Sequence, residues 1–222
     1  METALIVGAG SGLSASLARL FAKEGMRVAL AARNTSKLAP LLKEAGALAI
    51  ECDASVPAQV DAMFEKVPAP DLVVYNAGYR TRGPLVSLGP KEVERTLTIS
   101  AYGGFLVGQA AAKRMLARGS GAIFLTGASA SVKGYAESAP FAMGKFALRG
   151  LAQSLARELS PKNIHVAHFV IDGGIQQAGR TASGPDALLS PDEIAKSYLA
   201  LYRQQRSAWS WELELRPWVE KF

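Results

Sequence analysis

The chain of 222 residues has one cysteine, Cys52, and two histidines, His165 and His168. A single cysteine cannot form an internal disulfide and cannot complete a cysteine-based zinc site. The histidines stand three apart on a predicted strand and therefore face opposite sides, which argues against a shared metal ion. We expect no metal site, and a protein that works in a reducing compartment, the cytoplasm.

Long apolar runs and clusters of one charge are also missing. No apolar run approaches the ~20 residues that cross a bilayer, and the first residues lack the pattern of a signal peptide. Basic residues outnumber acidic ones by 25 to 19, but they are scattered rather than grouped as a nucleic-acid surface requires. We therefore expect neither membrane nor nucleic acid as a partner, and a small phosphate-bearing ligand fits the net charge of +6 better.

Short apolar runs alternate with longer segments of helical spacing. This alternation is typical of parallel strands joined by helices, and wholly apolar strands indicate helices on both faces of the sheet. We predict an α/β fold with one doubly wound parallel sheet. The predicted strands are Ala4–Val7, Arg27–Ala32, Ala47–Cys52, Leu72–Tyr75, Ala122–Thr126, His165–Ile171 and Trp211–Leu215, and the predicted helices are Leu13–Lys23, Ser36–Ala45, Val56–Lys66, Lys91–Arg118, Pro140–Leu159 and Asp192–Gln204.

Several helix ends have sequence signals. Ser190 and Glu193 have the spacing of a capping box. Gly25 and Gly46 stand where two helices should end, and Pro40 predicts a late start for the second helix. The segment Gly173–Ser190 has no periodicity, so we predict a surface loop that is either a substrate lid or an irregular connection.

A glycine-rich turn follows the first predicted strand directly and leads into a helix. Glycines allow the backbone to approach a pyrophosphate, whose charge is met by free N–H groups and the positive end of the helix dipole. A plain tight turn is the alternative, since the spacing differs from the strict dinucleotide fingerprint. The residues expected to bind phosphate here are Gly8, Gly10, Ser11, Gly12 and Leu13.

Polar residues stand at the carboxyl ends of the next strands, where ligands bind in such sheets. Arg33 follows the second strand, at the position that reads the adenosine ribose, and its guanidinium suits a 2′-phosphate. This favours NADP(H) over NAD(H), although Arg33 could also be an ordinary solvated arginine. Further cofactor contacts are expected from Asp53 and Ala54 after the third strand and from Asn76, Ala77 and Gly78 after the fourth.

Gly8, Gly12, Asp53, the run Asn76-Ala77-Gly78 and Lys145 occur in the order and at the separations of the short-chain dehydrogenase/reductase family. The chain resembles this family over about residues 3–172. The resemblance implies a single Rossmann-type dinucleotide-binding domain over residues 1–222, with about seven strands. It also implies oxidation or reduction of a small alcohol or carbonyl compound, a homodimer or homotetramer, and a Lys145 that binds the nicotinamide ribose.

The catalytic set of the family is altered here. Members normally have Asn, Ser, Tyr and Lys, and the first three positions fall on Ser100, Ala128 and Phe141. The tyrosine hydroxyl gives the substrate oxygen its proton, with a pKa lowered by the lysine. Phe141 has no proton to give, so the site keeps Lys145 but lacks its acid.

Two residues are hypothetical substitutes for the missing groups. Ser129 stands next to Ala128, although neighbours in an extended segment point to opposite faces. Tyr135 lies in the loop before the Lys145 helix and could turn its phenol into the site, or it could pack on the loop surface. Ser138 occupies the tyrosine position of the enoyl-reductase branch, but an alkanol is a very weak acid.

Three functions remain open. The first is an NADP(H)-dependent oxidoreductase with an atypical active site, and the second is a catalytically silent NADP(H)-binding sensor or scaffold. The third is a structural homo-oligomer that no longer binds a cofactor. The C-terminal tryptophans Trp209, Trp211 and Trp218 fit either a subunit interface or ordinary core packing.

Overall fold

A computed structural model describes residues 1–220, and its centre is a parallel sheet of seven strands. The strand order is β3-β2-β1-β4-β5-β6-β7. The chain therefore winds outward from β1 in both directions, which makes a Rossmann-type α/β domain as predicted. The strands are β1 Thr3–Val7, β2 Arg27–Ala32, β3 Leu48–Glu51, β4 Leu72–Tyr75, β5 Gly121–Thr126, β6 Ile164–Ile171 and β7 Glu212–Leu215.

Helices cover both faces of this sheet. They are α1 Leu13–Lys23, α2 Ala39–Ala45, α3 Pro57–Lys66, α4 Pro90–Leu97, α5 Gly103–Arg118, α6 Ala139–Leu159 and α7 Pro191–Tyr202. Alternate strand residues enter two separate cores: Val73 faces α3, α5 and α6, whereas Val74 faces α1, α2 and α7. Within residues 1–220, every helix is too short or too polar to cross a membrane.

Most predicted helix ends agree with the structure. Pro40 lies in the first turn of α2, and Gly46 ends that helix in the left-handed conformation with φ 58°. The Oγ of Ser190 accepts a hydrogen bond from the Glu193 N–H at 3.4 Å. The second hydrogen bond of the predicted capping box, from the Ser190 N–H to the Glu193 carboxylate, is wrong. The Glu193 carboxylate binds Lys196 Nζ at 2.6 Å instead.

The predicted helix Lys91–Arg118 is interrupted by a π-helical turn over Thr98–Tyr102, between α4 and α5. The hydroxyl of the buried Tyr75 donates a hydrogen bond to the carbonyl of Ile99 within this turn. Gly103 follows directly and lies against the same hydroxyl, where a Cβ would have no room. The turn also buries Ser100 completely and places its Cβ against Gly144 of α6.

A buried ionic network joins β6, β7 and α6. The Nδ1 of His168 lies 2.9 Å from a carboxylate oxygen of Glu212. Arg149 donates two hydrogen bonds to the same carboxylate, each at 2.7 Å. Trp211 lies over Arg149, and Trp209 stacks on His165 with a ring distance of 4.6 Å. Trp209 is therefore partly buried in the fold, whereas Trp211 and Trp218 are exposed, by 37% and 79%.

The buried His168 makes the fold sensitive to acid. Burial, partly offset by the hydrogen bond to Glu212, lowers the pKa of His168 from 6.5 to about 4. The unfolded chain therefore takes up a proton between pH 6.5 and 4 that the folded protein does not, and stability falls as the pH falls through this range. The lowering corresponds to about 3 kcal/mol.

We predict that the free energy of unfolding, measured by urea titration at successive pH values, decreases between pH 6.5 and 4.5. His168→Asn flattens this dependence, because the titrating group is gone. His165→Asn is the matched control, since burial lowers its pKa too but by less. A wild-type stability that is constant across this range contradicts the prediction.

Candidate cofactor and active site

The turn after β1 is held against the end of β4. Gly8 has φ +86°, a value that favours glycine, and a Cβ at this position would overlap the backbone of Ala77. The N–H groups of Gly8 and Ala9 both donate to the carbonyl of Ala31, each at 2.9 Å. The turn therefore requires glycine at position 8 and brings the carboxyl ends of three strands together.

Ser14, on the first turn of α1, fixes this arrangement. Its hydroxyl donates to the carbonyl of Gly8 at 3.2 Å and accepts from the side-chain amide of Asn76 at 2.8 Å. Ser14 was not among the predicted site residues. The sequence signal that could have identified it is a hydroxyl-bearing residue within the glycine-rich segment at the start of a buried helix.

A cavity of about 300 Å³ opens at the carboxyl ends of β1–β4. It brings together most of the predicted cofactor residues, whereas Gly10, Ser11, Gly12 and Leu13 lie beside it at the start of α1. Ala9, Asn34, Cys52, Ser55 and Ile99 also line it and were not predicted. The complete lining is Val7, Gly8, Ala9, Ala32, Arg33, Asn34, Cys52, Asp53, Ala54, Ser55, Asn76, Ala77, Gly78 and Ile99.

Asp53 is a fixed negative charge in this cavity. Its carboxylate accepts hydrogen bonds from the N–H and the hydroxyl of Ser55, at 3.0 and 2.6 Å. Burial acts to raise the pKa of Asp53, but the Ser55 bonds and the charges of Arg33 and Arg95 outweigh it and lower the pKa. Asp53 is therefore ionised and already oriented before any ligand enters.

Lys145 lies at the Gly78 side of the cavity. Its side chain is buried, and Nζ donates to the carbonyl of Thr126 at 2.8 Å. A Cβ on Gly78 would stand 3.7 Å from Nζ, so the glycine leaves the lysine room at this position. Burial lowers the pKa of Lys145 to about 8, which makes its ammonium a stronger acid than that of an exposed lysine.

Comparison with known proteins decides the family. The family model described as short chain dehydrogenase matches residues 2–186. The chain belongs to this short-chain dehydrogenase family. It is 30% identical over 221 residues to the D-threitol dehydrogenase of Mycolicibacterium smegmatis, with 90% of this chain and 85% of the relative covered.

Solved structures of short-chain dehydrogenases have the same fold. One from Rhodopseudomonas palustris is 36% identical with a TM-score of 0.85, covering 98% of this chain and 99% of the other. A metagenomic short-chain oxidoreductase in complex with NADP is 27% identical with a TM-score of 0.85, covering 97% of each chain. Members of the family bind nicotinamide cofactors.

Phe141 stands on α6, one helical turn before Lys145. Lys145 Nζ lies 5.9 Å from the centre of its ring, and the guanidinium of Arg80 lies 4.9 Å from the same centre. The hydroxyls of Ser100 and Ser138 are buried and have no hydrogen-bond partner among residues 1–220. The ring thus lies close to two cations and has no group that exchanges a proton.

The two hypothetical substitutes lie apart from the cavity lining. Burial acts to raise the pKa of Asp172, but hydrogen bonds from Ser129 and Lys133 lower it, which places the Ser129 hydroxyl at this carboxylate. Tyr135 is 47% exposed in the loop before α6. Its phenol lies beside Lys133, whose pKa is raised mainly by a hydrogen bond to Asp172. Both substitutes remain hypotheses.

We predict that Gly8→Ala destabilises the ligand-free protein by at least about 2 kcal/mol, because the new Cβ adds left-handed strain to an overlap with Ala77. For a chain of this size the loss lowers Tm by about 4–8 °C in a thermal melt. Gly10→Ala is the matched control, since no atom lies within 4 Å of its Cβ. Equal melting temperatures for the two variants contradict the assignment of Gly8.

Proposed function

We propose that this protein is an NADP(H)-dependent oxidoreductase that interconverts a small carbonyl compound and its alcohol, with a weakened proton-transfer step. The observation that supports it most is a single cavity that extends from Arg33 to Gly78, where the buried Lys145 lies against it. The start of α1 and the Gly8 turn would hold the pyrophosphate. When bound, the cofactor supplies or accepts the hydride.

The preference for NADP(H) rests on charge. Arg33 makes no hydrogen bond within residues 1–220, and it lines a second cleft together with Lys91 and Arg95. Asn34 is occupied, because its side-chain oxygen accepts from the N–H and hydroxyl of Ser36. The cleft also contains the carboxylates of Asp53 and Glu94. A guanidinium without a hydrogen-bond partner among these residues suits a 2′-phosphate, whereas an acid in its place would suit an unphosphorylated ribose.

Proton transfer is the step that the side chains support least. Reduction of a carbonyl needs a proton at its oxygen, and Phe141 cannot give one. Lys145 keeps its ammonium one turn away, with one N–H bound to Thr126 and a pKa lowered to about 8. Lys145 would thus orient the cofactor and favour negative charge on the substrate oxygen, while Ser129 and Tyr135 stay candidate donors.

Assembly as a homodimer or homotetramer belongs to the same proposal. Tyr102 and Phe105 stack on each other and are exposed at the start of α5, and Met143 and Phe146 are exposed on α6. Exposed large apolar side chains at this density are typical of protein interfaces. They support an interface along the two long helices.

A second candidate function is supported by the loss of the acid. A protein that binds NADP(H) as a sensor needs the cavity, Arg33 and Lys145, but it does not need a proton donor at Phe141. Arg80 over the Phe141 ring places a cation where an enzyme of this family needs its acid. The two functions differ in whether NADPH is turned over.

We predict that NADPH binds with micromolar Kd or tighter, and NADH at least tenfold more weakly, in calorimetric titrations. Arg33→Ala weakens NADPH at least tenfold and leaves NADH unchanged, because it removes only the 2′-phosphate contact. Arg27→Ala, at the opposite end of β2, is the matched control and changes neither affinity. Equal affinities for both nucleotides contradict the NADP(H) preference, and no binding of either contradicts both functions.

We predict that Phe141→Tyr increases the NADPH-linked reduction of 4-nitrobenzaldehyde about 10²–10⁴-fold, because it restores a general acid beside Lys145. The rate is followed by the absorbance of NADPH, and Phe146→Tyr, exposed one turn further along α6, is the control. Tight NADPH binding without turnover in either form favours the sensor. Equal, fast turnover in both shows that another group already donates, and Tyr135→Phe then tests the phenol.

A further inference from the structure

One arginine lies over the ring of Phe141, and two more act on that arginine by their charge. Arg80 follows the cavity residue Gly78 by two positions and lies over the ring. Arg82 belongs to the same loop, which a hydrogen bond from the Gly83 N–H to the Glu137 carbonyl at 3.0 Å ties to the segment before α6.

The third arginine, Arg180, comes from the loop between β6 and α7. This loop is closed at its base, because the N–H groups of Gln176 and Leu189 donate to the carbonyls of Leu189 and Gly174 at 2.8 Å. The guanidinium of Arg180 folds back toward this base, 2.8 Å from where a Cβ on Gly174 would stand. Its charge acts on Arg80, so arginines of two separate loops lie within electrostatic range of each other.

The three charges oppose one another. Burial, and then the positive charges of Arg82 and Arg180, lower the pKa of Arg80. Within residues 1–220, Arg80 and Arg82 form no hydrogen bond or ion pair, and Arg180 reaches only the Ile175 carbonyl, at 3.5 Å. Arg149, by contrast, binds the carboxylate of Glu212.

We propose that Arg80, Arg82 and Arg180 form a binding site for the anionic group, a carboxylate or a phosphate, of the small molecule on which this protein acts. A guanidinium binds either group with two parallel N–H bonds. The Arg80 guanidinium packs over the Phe141 ring, which already orients it for such a pair of bonds. The inference rests on the proposed function in one respect, because that function makes the bound anion part of the substrate.

The first test is a calorimetric titration of the NADP⁺-saturated protein with oxalate and, separately, with inorganic phosphate. Saturation with the nucleotide blocks its own phosphate sites. We expect one of the two anions to bind at one site per chain, and Arg80→Met and Arg180→Met each to weaken it at least tenfold. Arg157→Met, which removes an exposed arginine of α6, is the control and leaves the affinity unchanged.

A second test uses NADPH-linked reduction of aldehydes in matched pairs. The pairs are 4-carboxybenzaldehyde with its methyl ester and glyceraldehyde 3-phosphate with glyceraldehyde. A carboxylate site gives 4-carboxybenzaldehyde a kcat/KM at least tenfold higher than that of its methyl ester. A phosphate site gives glyceraldehyde 3-phosphate a kcat/KM at least tenfold higher than that of glyceraldehyde. Arg80→Met removes this preference, whereas the control variant Arg157→Met keeps it.

The failure of this site differs from the failure of the proposed function. If NADPH binds but neither anion binds below about 10 mM, or if the arginine variants bind the anion as the wild type does, the anion site is wrong and the cofactor site stands. If NADPH itself does not bind, the proposed function is wrong. The titrations are then made on the free protein, where an anion affinity that depends on Arg80 supports the site and one that does not overturns it.

Discussion

The close approach of Gly8 to Ala77 is the contact on which the rest of the site depends. It holds the ends of β1 and β4 together at the point where the strand order reverses, since β2 and β3 lie on one side of β1 and β4–β7 on the other. Chains that leave this point in opposite directions open a crevice at the carboxyl ends of the strands. Ser14 closes the crevice from below by joining the Gly8 turn to Asn76. The cavity is therefore a consequence of topology and of one residue without a side chain.

Burial then sets the chemistry within the crevice. Among residues 1–220, the one hydrogen-bond partner of Lys145 Nζ is a backbone carbonyl, so burial lowers its pKa, whereas Asp53 has hydrogen bonds and nearby cations and stays ionised. The crevice therefore has a fixed negative charge at Asp53 and, at Lys145, an ammonium that releases its proton more readily than that of an exposed lysine. Phe141 has no acidic proton beside Lys145, and the Ser100 hydroxyl is folded into the π-turn without a hydrogen bond among residues 1–220. The side chains of the crevice therefore supply charge for binding, whereas the ring next to Lys145 supplies no proton.

The features that were predictable from the sequence depend on short-range patterns. Strand ends and the Gly8 turn follow from apolar runs and glycines that are adjacent in sequence, so the cofactor residues were placed correctly at the strand ends. The π-turn was not predictable, because it depends on the Tyr75 hydroxyl, 24 residues before Ile99. The predicted capping box at Ser190 lacks its second hydrogen bond, because the Glu193 carboxylate binds Lys196 instead. His168 contacts Glu212, which lies 44 residues further along the chain, and no sequence periodicity predicts a contact at that separation.

The arginines show why composition alone understates the site. A net charge of +6 from scattered residues excluded a nucleic-acid surface but could not show that loops bring Arg80, Arg82 and Arg180 together. Arg33 and this cluster lie near opposite ends of the strand-edge crevice, one at the end of β2 and the other beyond Gly78. A dinucleotide phosphate at one end and an anionic small molecule at the other would each neutralise positive charge that the folded chain leaves uncompensated. The aromatic ring at position 141 has a use in this arrangement even without a hydroxyl, because it supports Arg80.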